Sequence, residues 1–439
     1  MKTATLLRGL GSLLGMALLL GGCGGDDWGD GGAWTKQLGA AGALTESRGV
    51  ATDASGNVYV AGQTTGGLDG NVQTGIHELV LVKYDAAGTK LYTRQLGAAG
   101  ASIWVSSVAI DVHGNVYVAG TTNGSLDGNV KTGAYDLVLV KYDAAGTKLY
   151  TRQLGAADAG TWVSSVAIDA HGNVYVAGQT NGGLDGNVKA GTYDLFLVKY
   201  NAAGTKLYTR QLGAAGVLTE PRGVATDASG NVYVAGQTDG GLDGNPRMGF
   251  QDLFLVKYAA DGNRLYTRQL GVAAAWTRAF SVATDASGNV YVAGQTTGGL
   301  DGNAQTGHSD LVLVKYNAAG TKLYTRQLGA AGTSTAAYGV ATDGHGNIYV
   351  AGTTNGGLDG NRRMGSQDLF LAKYAADGNR LYTRQLGAAA AWTSASSVAT
   401  DVNGDVYVAG TTNGSLDGNR RMGSQDLVLV KYDAAGTKQ

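Results

Sequence analysis

The sequence predicts an all-β fold, a seven-bladed β-propeller of four-stranded antiparallel blades, from three observations. The segment Gly56–Gly62 (Gly-Asn-Val-Tyr-Val-Ala-Gly) recurs six times at a fixed spacing of 58 residues, with at most one substitution per copy. Each 58-residue unit contains four segments typical of β-strands. The last unit ends before its fourth segment, and a copy of that segment stands near the start of the chain. A fixed period of this length indicates one supersecondary unit repeated in space.

The second unit shows the four predicted strands, named a to d, in order. Residues 107–111 form a short β-rich run, and residues 115–122 alternate with period two, as a half-buried strand does. Residues 136–142 are almost continuously apolar, and residues 148–155 supply the fourth strand. Asp and Gly residues between them favour tight turns, and no segment has an apolar period that predicts a helix. A β-solenoid, the alternative for Gly-, Asp- and Asn-rich repeats, has much shorter coils; four strands repeated seven times are typical of a propeller.

The two ends of the chain predict how the ring closes. Trp34–Gly39 aligns with Tyr92–Gly97, one period later, and residues 34–439 make up seven full periods. We therefore expect the N-terminal strand to pair with residues 426–433 and to complete the last blade. Such closure removes two exposed sheet edges, which otherwise invite aggregation.

Composition excludes several classes of protein. The formal net charge of −1 is too balanced to predict nucleic acid as a partner. The chain has 73 Gly among 439 residues, but without the three-residue period of collagen. An apolar fraction of 44% argues against intrinsic disorder.

The N-terminus has the pattern of a targeting segment. A basic start precedes an apolar run over residues 13–20, which is short for a membrane span. The following Leu-Gly-Gly-Cys, ending at Cys23, resembles a bacterial lipobox. The resemblance implies a signal peptide over residues 1–22, cleavage before Cys23 and lipidation of its thiol. The alternative is a plain secretory signal with an incidental cysteine.

The residues after the lipobox bear on location. Gly24 resembles the outer-membrane address of Gram-negative lipoproteins, and residues 23–33 are Gly- and Asp-rich, as in a flexible tether. We therefore expect a lipoprotein of the bacterial cell envelope, at the outer membrane or cell surface, attached to the membrane through its lipid alone. Its propeller domain is expected to span residues 34–439. Orientation towards the periplasm or the exterior stays open.

Three sequence signatures identify a family resemblance. Each unit carries Asp-x-x-Gly-Asn-Val-Tyr-Val-Ala-Gly, then Asp-Leu-Phe/Val-Leu-Val-Lys-Tyr, then Gly-x-x-Leu-Tyr-Thr-Arg-Gln-Leu-Gly, with few departures. This order resembles the SBBP β-propeller repeat of bacterial secreted and surface proteins, and the likeness covers residues 34–439. The resemblance implies the propeller fold but no single activity, because function on such folds depends on individual sites.

Variation between the units is concentrated on one face. In a propeller, the d–a segments and b–c loops share one face, and the a–b and c–d turns share the other. The d–a segments differ widely between units, whereas the a–b turns are nearly constant. Such divergence is typical of a binding face, although relaxed constraint on loops has the same effect. Four tryptophans lie in the d–a segments and are expected at the channel mouth, to stack on sugar rings or a partner's apolar side chains or else to cap the core: Trp104, Trp162, Trp276 and Trp392.

Charged residues in the b–c loops supply the remaining candidates. Five arginines there have the geometry to bind carboxylate or phosphate, unless they form local ion pairs or a solvated surface: Arg247, Arg362, Arg363, Arg420 and Arg421. Each loop also contains Leu-Asp-Gly-Asn, such as Leu68–Asn71. Turn formation is the main interpretation of this motif. Calcium is an alternative, weakened by the single carboxylate per loop, and no other cofactor or metal is expected.

Catalytic motifs are not evident. Three of the five histidines, His113, His171 and His345, share a turn position that Ser or Asn occupies in other units. The interpretation is therefore a monomeric binding module for an extracellular glycan or protein. Two alternatives stay open: a structural component of the envelope, and a hydrolase or lyase whose site is assembled from different blades.

Overall fold

The computed structural model describes residues 34–439, where the chain forms strands and no helix, and thus no helix able to cross a membrane. Predictions for residues 1–22, Cys23 and residues 24–33 lie outside the described residues. The strands in chain order are β1 (Thr35–Leu38), β2 (Thr45–Thr52), β3 (Val58–Thr64), β4 (Glu78–Tyr84), β5 (Lys90–Leu96), β6 (Ile103–Ile110), β7 (Val116–Thr122), β8 (Asp136–Tyr142), β9 (Lys148–Leu154), β10 (Thr161–Ile168), β11 (Val174–Thr180), β12 (Asp194–Tyr200), β13 (Lys206–Leu212), β14 (Thr219–Thr226), β15 (Val232–Thr238), β16 (Asp252–Tyr258), β17 (Arg264–Leu270), β18 (Thr277–Thr284), β19 (Val290–Thr296), β20 (Asp310–Tyr316), β21 (Lys322–Leu328), β22 (Thr335–Thr342), β23 (Ile348–Thr354), β24 (Asp368–Tyr374), β25 (Arg380–Leu386), β26 (Thr393–Thr400), β27 (Val406–Thr412) and β28 (Asp426–Tyr432).

These strands form seven four-stranded antiparallel sheets, which confirms the predicted fold class. Blade 1 is β2-β3-β4-β5, and blades 2 to 6 repeat the same order along the chain. Blade 7 is β26-β27-β28-β1, so the N-terminal strand closes the ring as predicted. In this blade Thr35 lies opposite Val430 and Leu38 lies opposite Leu427.

The hydrophobic core lies between neighbouring blades. Strands b and c are buried on both faces, and for this reason they read as apolar runs. Tyr59 and Leu81 of blade 1, for example, pack against Val118 and Val140 of blade 2. Each blade therefore buries its apolar faces only when it has neighbours on both sides, which couples the stability of the blades to ring closure.

Polar contacts repeat across the junctions between blades. The buried Lys83 Nζ donates to the carbonyl of Ala144 at 3.0 Å and lies 5.0 Å from the Tyr59 ring centroid. Arg94 Nε donates to the carbonyl of Gly146 at 2.8 Å. The closing junction differs, because Lys431 pairs with Asp405 at 2.8 Å instead.

The innermost strand is longer than the sequence predicts. In blade 2 it begins at Ile103, four residues before the predicted start, and its register shifts between Val105 and Ser107. This bulge at Ser106 interrupts the two-residue alternation, so the first half of the strand does not show a strand pattern. All seven innermost strands have the same bulge. Trp104 and Trp162 therefore lie within strands rather than in connecting segments, which corrects their predicted placement.

Candidate functional site

The central channel opens into a cavity at each end. We call the face with the d–a segments and b–c loops the upper face, and the face with the a–b and c–d turns the lower face. The upper cavity has a volume of about 700 Å³ and its lining includes Arg48, Arg222, Arg278, Phe280, Tyr338 and Trp392. The lower cavity, about 800 Å³, is lined by a–b turns. Both volumes are within the range of small-molecule sites.

The four candidate tryptophans occupy two different positions of the repeat. Trp104 and Trp162 are the second residues of β6 and β10, whereas Trp276 and Trp392 each immediately precede the innermost strand of their blade. Trp392 lines the upper cavity. Trp276 is 45% exposed and lies 5.6 Å from Phe250, centroid to centroid. Of the four tryptophans expected at the channel mouth, Trp392 is the one among the residues that line the upper cavity.

Two of the tryptophans belong to a continuous row of rings, which we call the aromatic arc. It runs His77–Trp104–Tyr135–Trp162–Tyr193, with successive centroids 6.1, 5.7, 5.5 and 5.6 Å apart. All five side chains are partly exposed. The arc thus presents one side to its neighbours and another to solvent across blades 1 to 3.

Backbone geometry brings these rings together. The residue before strand c of one blade pairs with the residue before strand a of the next, as His77 does with Ser102 and Tyr135 does with Gly160. The b–c side chain thereby comes to lie between the tryptophans. Sequence reasoning missed His77, Tyr135 and Tyr193, although their recurrence at one repeat position was a usable signal. In blades 4 and 5 the same circle continues as Glu220, Gln251 and Arg278, so the aromatic character is confined to one side.

The bulges direct side chains into the upper cavity. The bulged positions carry Arg48 in blade 1, Arg222 in blade 4, Phe280 in blade 5 and Tyr338 in blade 6, and all four line the cavity. The rings of Phe280 and Tyr338 lie 5.3 Å apart. Bulges re-aim side chains in this way at many binding sites.

Two of the cavity arginines are paired with carboxylates. Arg48 Nη2 lies 2.6 Å from Glu46, and Arg222 Nη2 lies 3.2 Å from Glu220. Arg278 instead donates from Nε to the Gln251 side chain at 2.6 Å. Burial lowers the pKa of Arg278, an effect that Glu220 opposes and Arg222 reinforces. Arg278 nonetheless remains a cation near neutral pH, since arginine keeps its proton in proteins.

Three of the five b–c loop arginines make hydrogen bonds within their own loops. Arg363 donates from Nε to the carbonyl of Gly365 at 2.6 Å and from Nη2 to that of Ser366 at 3.0 Å. Gln73 and Gln305 make corresponding bonds at the same repeat position, which indicates that the contact shapes the loop. Arg247 and Arg421 repeat this contact, whereas Arg362 and Arg420 are exposed at the preceding position.

The aspartates of the Leu-Asp-Gly-Asn loops hold strand d. Asp127, for example, accepts from Lys148 Nζ at 2.6 Å and from the Thr151 hydroxyl. Its backbone has a φ of 49°, a left-handed conformation that Asp tolerates. These features fit the turn interpretation of the motif. In residues 34–439, no three His, Cys, Asp or Glu side chains form a group able to hold a metal ion.

The lower face has the same network in nearly every blade. Asp169 accepts hydrogen bonds from the backbone of His171 and from the backbone and side chain of Asn173, each at 2.8 or 2.9 Å. Its second oxygen also accepts from the buried Tyr175 hydroxyl at 2.9 Å. His171 contributes its backbone amide, as Ser229 does at the corresponding position, which supports its interpretation as a turn residue.

Comparison with known proteins gives one family and several distant similarities. Seven segments match the β-propeller repeat family SBBP and together cover more than half of the chain: residues 33–69, 91–127, 149–185, 207–243, 265–301, 323–359 and 381–417. A regulatory protein, FlaEY of Caulobacter vibrioides, is 30% identical over 232 residues, which are 45% of this chain and 24% of that protein. The chain thus spans about a quarter of this relative's length.

Two solved structures illustrate the fold similarity. The β-propeller domain of the Trilobed protease from Pyrococcus furiosus is 9% identical, with a TM-score of 0.47 over 89% of this chain and 96% of that one. A PL25 ulvan lyase is 13% identical, with a TM-score of 0.46 over 85% of this chain and 93% of that one. At such low identity these similarities carry no functional information.

Proposed function

The chain belongs to the SBBP β-propeller repeat family, and from this premise we propose that it is a binding module that holds an extracellular glycan on its upper face. In this proposal Cys23 carries a lipid, residues 23–33 form the tether, and the propeller acts as a monomer at the bacterial cell envelope. A tethered ring of this kind reaches ligands away from the membrane while its fold stays rigid.

The aromatic arc carries this proposal. Its five rings are partly exposed and follow one another at 5.5 to 6.1 Å, so they offer a continuous platform rather than isolated contacts. The C–H faces of sugar rings pack well on aromatic faces, and Tyr and Trp add a polar group at the edge. A ligand with several sugar units therefore suits the arc better than a single small molecule does.

A protein partner is the second candidate, and the b–c loop tips favour it. Val72, Val130 and Val188 occupy the same repeat position in blades 1 to 3 and are 80, 81 and 87% exposed. Clustered exposed apolar side chains often mark protein contacts. Each lies five residues before an arc residue of the same b–c loop, so in this candidate an extended partner on the arc also contacts the loop tips.

The test is a glycan and peptide array with the purified protein, followed by affinity measurements on any ligand found. Trp104→Ala and Trp162→Ala are each expected to weaken glycan binding at least tenfold, because a packed aromatic anchor typically contributes about 2 kcal/mol or more. Leu149→Ala is the control, since Leu149 is 51% exposed on β9, the outermost strand of blade 2, and lies outside the arc and the upper cavity. Equal losses in all three variants, or a loss in the control alone, contradict the proposal.

Membrane attachment is tested separately. Cys23→Ser is expected to shift the protein from the membrane fraction to the soluble fraction and to remove the acyl mass from the intact protein. An unmodified wild-type protein, or an unchanged distribution of the variant, contradicts lipidation.

A further inference from the structure

The upper cavity is next to the aromatic arc but has a different chemistry. Val105 and Val163 directly follow Trp104 and Trp162 on their strands, and both line the cavity. A glycan chain bound along the aromatic arc is therefore next to the upper cavity. The opposite wall belongs to blades 4 to 6 and carries Arg222, Arg278, Phe280 and Tyr338, among other residues. The cavity volume of about 700 Å³ is within the range of pockets that hold small molecules.

One of the arginines in this wall, Arg278, has no salt-bridge partner among the described residues. Arg48 and Arg222 each have a glutamate partner. Within the described part of the chain, Arg278 has no carboxylate within salt-bridge distance, and its Nε is held by Gln251. Its ring contact is to Trp276, with a guanidinium-to-centroid distance of 5.8 Å. These two contacts fix the Arg278 side chain at the rim of the upper cavity, which Arg222 also lines. An anionic ligand group gains a charge-assisted hydrogen bond from Arg278, in addition to the attraction that Glu220 already exerts on this cation.

Aromatic and polar groups surround this cation. Phe280 follows Arg278 on β18 after one residue, and the tilted ring of Tyr338, 38% exposed, lies 5.3 Å from it in blade 6. Gln295, opposite Arg278 in the β18–β19 register, also lines the cavity. Serines from blades 1, 2, 3 and 7 also line the cavity, as does Glu46, whose carboxylate is paired with Arg48. The combination of two adjacent aromatic rings, amide and hydroxyl groups and one cation without a salt bridge suits an acidic sugar.

We propose that the upper cavity binds the carboxylate-bearing sugar unit of an acidic glycan. The carboxylate accepts hydrogen bonds from the free guanidinium nitrogens of Arg278, the sugar ring packs against Phe280 and Tyr338, and its hydroxyl groups meet Gln295 and the serines. The inference deepens the proposed function and rests on it, because it identifies the class of glycan that the arc and the cavity share.

Isothermal titration calorimetry on the full chain tests this site with glucuronate and galacturonate, and with glucose and galactose as neutral counterparts. Uronates are expected to bind at least tenfold more tightly than the neutral sugars. Arg278→Gln is expected to lower uronate affinity at least tenfold, and Arg278→Lys, which keeps the charge, to retain most of it. Arg247→Gln is the matched control, since glutamine makes the same loop contacts at Gln73 and Gln305. Melting curves identify any variant that loses its fold.

Three results overturn the inference: uronates that do not bind the wild-type protein, neutral sugars that bind equally well, or an Arg278→Gln variant that is folded and keeps its uronate affinity. The proposed function fails separately. Its readout is the binding of long glycans by Trp104→Ala and Trp162→Ala, whereas the readout here is the binding of single sugars by variants of Arg278.

Discussion

The upper and lower faces of the propeller are built from the same strands but differ in how much their sequences vary. On the lower face, Asp, Asn and Tyr are joined by hydrogen bonds in six of the seven a–b turns, and Asp405 replaces the Asn in blade 7. On the upper face, the corresponding circle changes from aromatic rings in blades 1 to 3 to polar and small residues elsewhere. The difference separates the residues that maintain the fold from the positions that vary between the units.

The two faces vary to different degrees because different residues form the hydrogen bonds of their buried polar groups. The lower turn uses one aspartate both to form the turn and to bind the buried tyrosine hydroxyl, so the Asp and Tyr positions are the same in all seven units. The upper face relies on the first residue of strand c. Asp136 accepts from the amides of Thr132 and Gly133 and from the Gln153 side chain at 2.8 to 2.9 Å. Because this carboxylate holds the b–c loop, the side chains at neighbouring positions such as Trp104 and Tyr135 are not needed to satisfy the polar groups of the loop.

Both faces depend on a closed ring, and opening it should have the largest effect. Deleting residues 34–39 removes Leu38, whose buried side chain packs with Val60 and Leu429. Loss of one such side chain costs roughly 2–5 kcal/mol, and the deletion also exposes the edge of β28. We expect a clearly lower melting temperature and association in size-exclusion chromatography. A truncated protein that melts like the full chain and stays monomeric contradicts the coupling of the blades.

The two ends of β10 allow a direct comparison of the faces. Asp169→Ala removes the acceptor of four hydrogen bonds, one of them from the Tyr175 hydroxyl, and is expected to lower the free energy of unfolding by about 3 kcal/mol. Trp162→Ala, near the other end of the same strand, is expected to cost about 1 kcal/mol because its ring is partly exposed already. Urea denaturation measures both. A larger loss for Trp162→Ala reverses the assignment of structural and ligand-binding faces.

The lower face should also make stability sensitive to acid. Burial opposes ionisation of Asp53, but hydrogen bonds from Asn57, Tyr59 and Ser55 outweigh it and lower the pKa of the carboxyl group below its ordinary 3.8. The same holds for Asp111, Asp169, Asp285 and Asp343. A carboxyl group with a lowered folded-state pKa stabilises the fold fully above its unfolded pKa, and this stability is lost as pH falls through the folded pKa.

We therefore expect the urea midpoint to be lower below about pH 4 than near neutrality. Asp169→Asn should make this decrease smaller, since one of the contributing carboxyl groups is gone. Midpoints measured from pH 7 to pH 3 provide the check. A variant whose acid sensitivity equals that of the wild type indicates that other carboxyl groups determine it.

The smallest effect is expected within the upper face itself. Arg247→Gln should change the free energy of unfolding by less than about 0.5 kcal/mol, because glutamine already makes the equivalent loop contacts in blades 1 and 5. The same substitution should leave ligand affinity unchanged. A loss of affinity without a loss of stability moves Arg247 from loop support to ligand binding.

Most of the architecture could be predicted from the sequence, because its signals are local and repeated seven times. The apolar run Asp136–Tyr142 and the alternation before Thr122 mark strands within one unit. The likeness of Trp34–Gly39 to a missing fourth strand predicts closure, since a propeller blade needs its outer strand from somewhere in the chain. The start of the innermost strand could not be predicted, as the bulge at Ser106 breaks its pattern.

The sequence alone thus determined the number of blades, their strands and the closing strand, and it indicated the upper face as the variable one. Only the tertiary structure decided which side chains on that face meet. Trp104 lies on strand a of blade 2 and Tyr135 lies at the end of the b–c loop of the same blade, whereas Trp162 belongs to blade 3. Their contact depends on the angle and the distance between neighbouring blades. Packing of the inter-blade core sets both quantities, and the spacing of residues in the sequence does not reveal them. The upper cavity arises for the same reason, from seven bulged strands that converge on one axis.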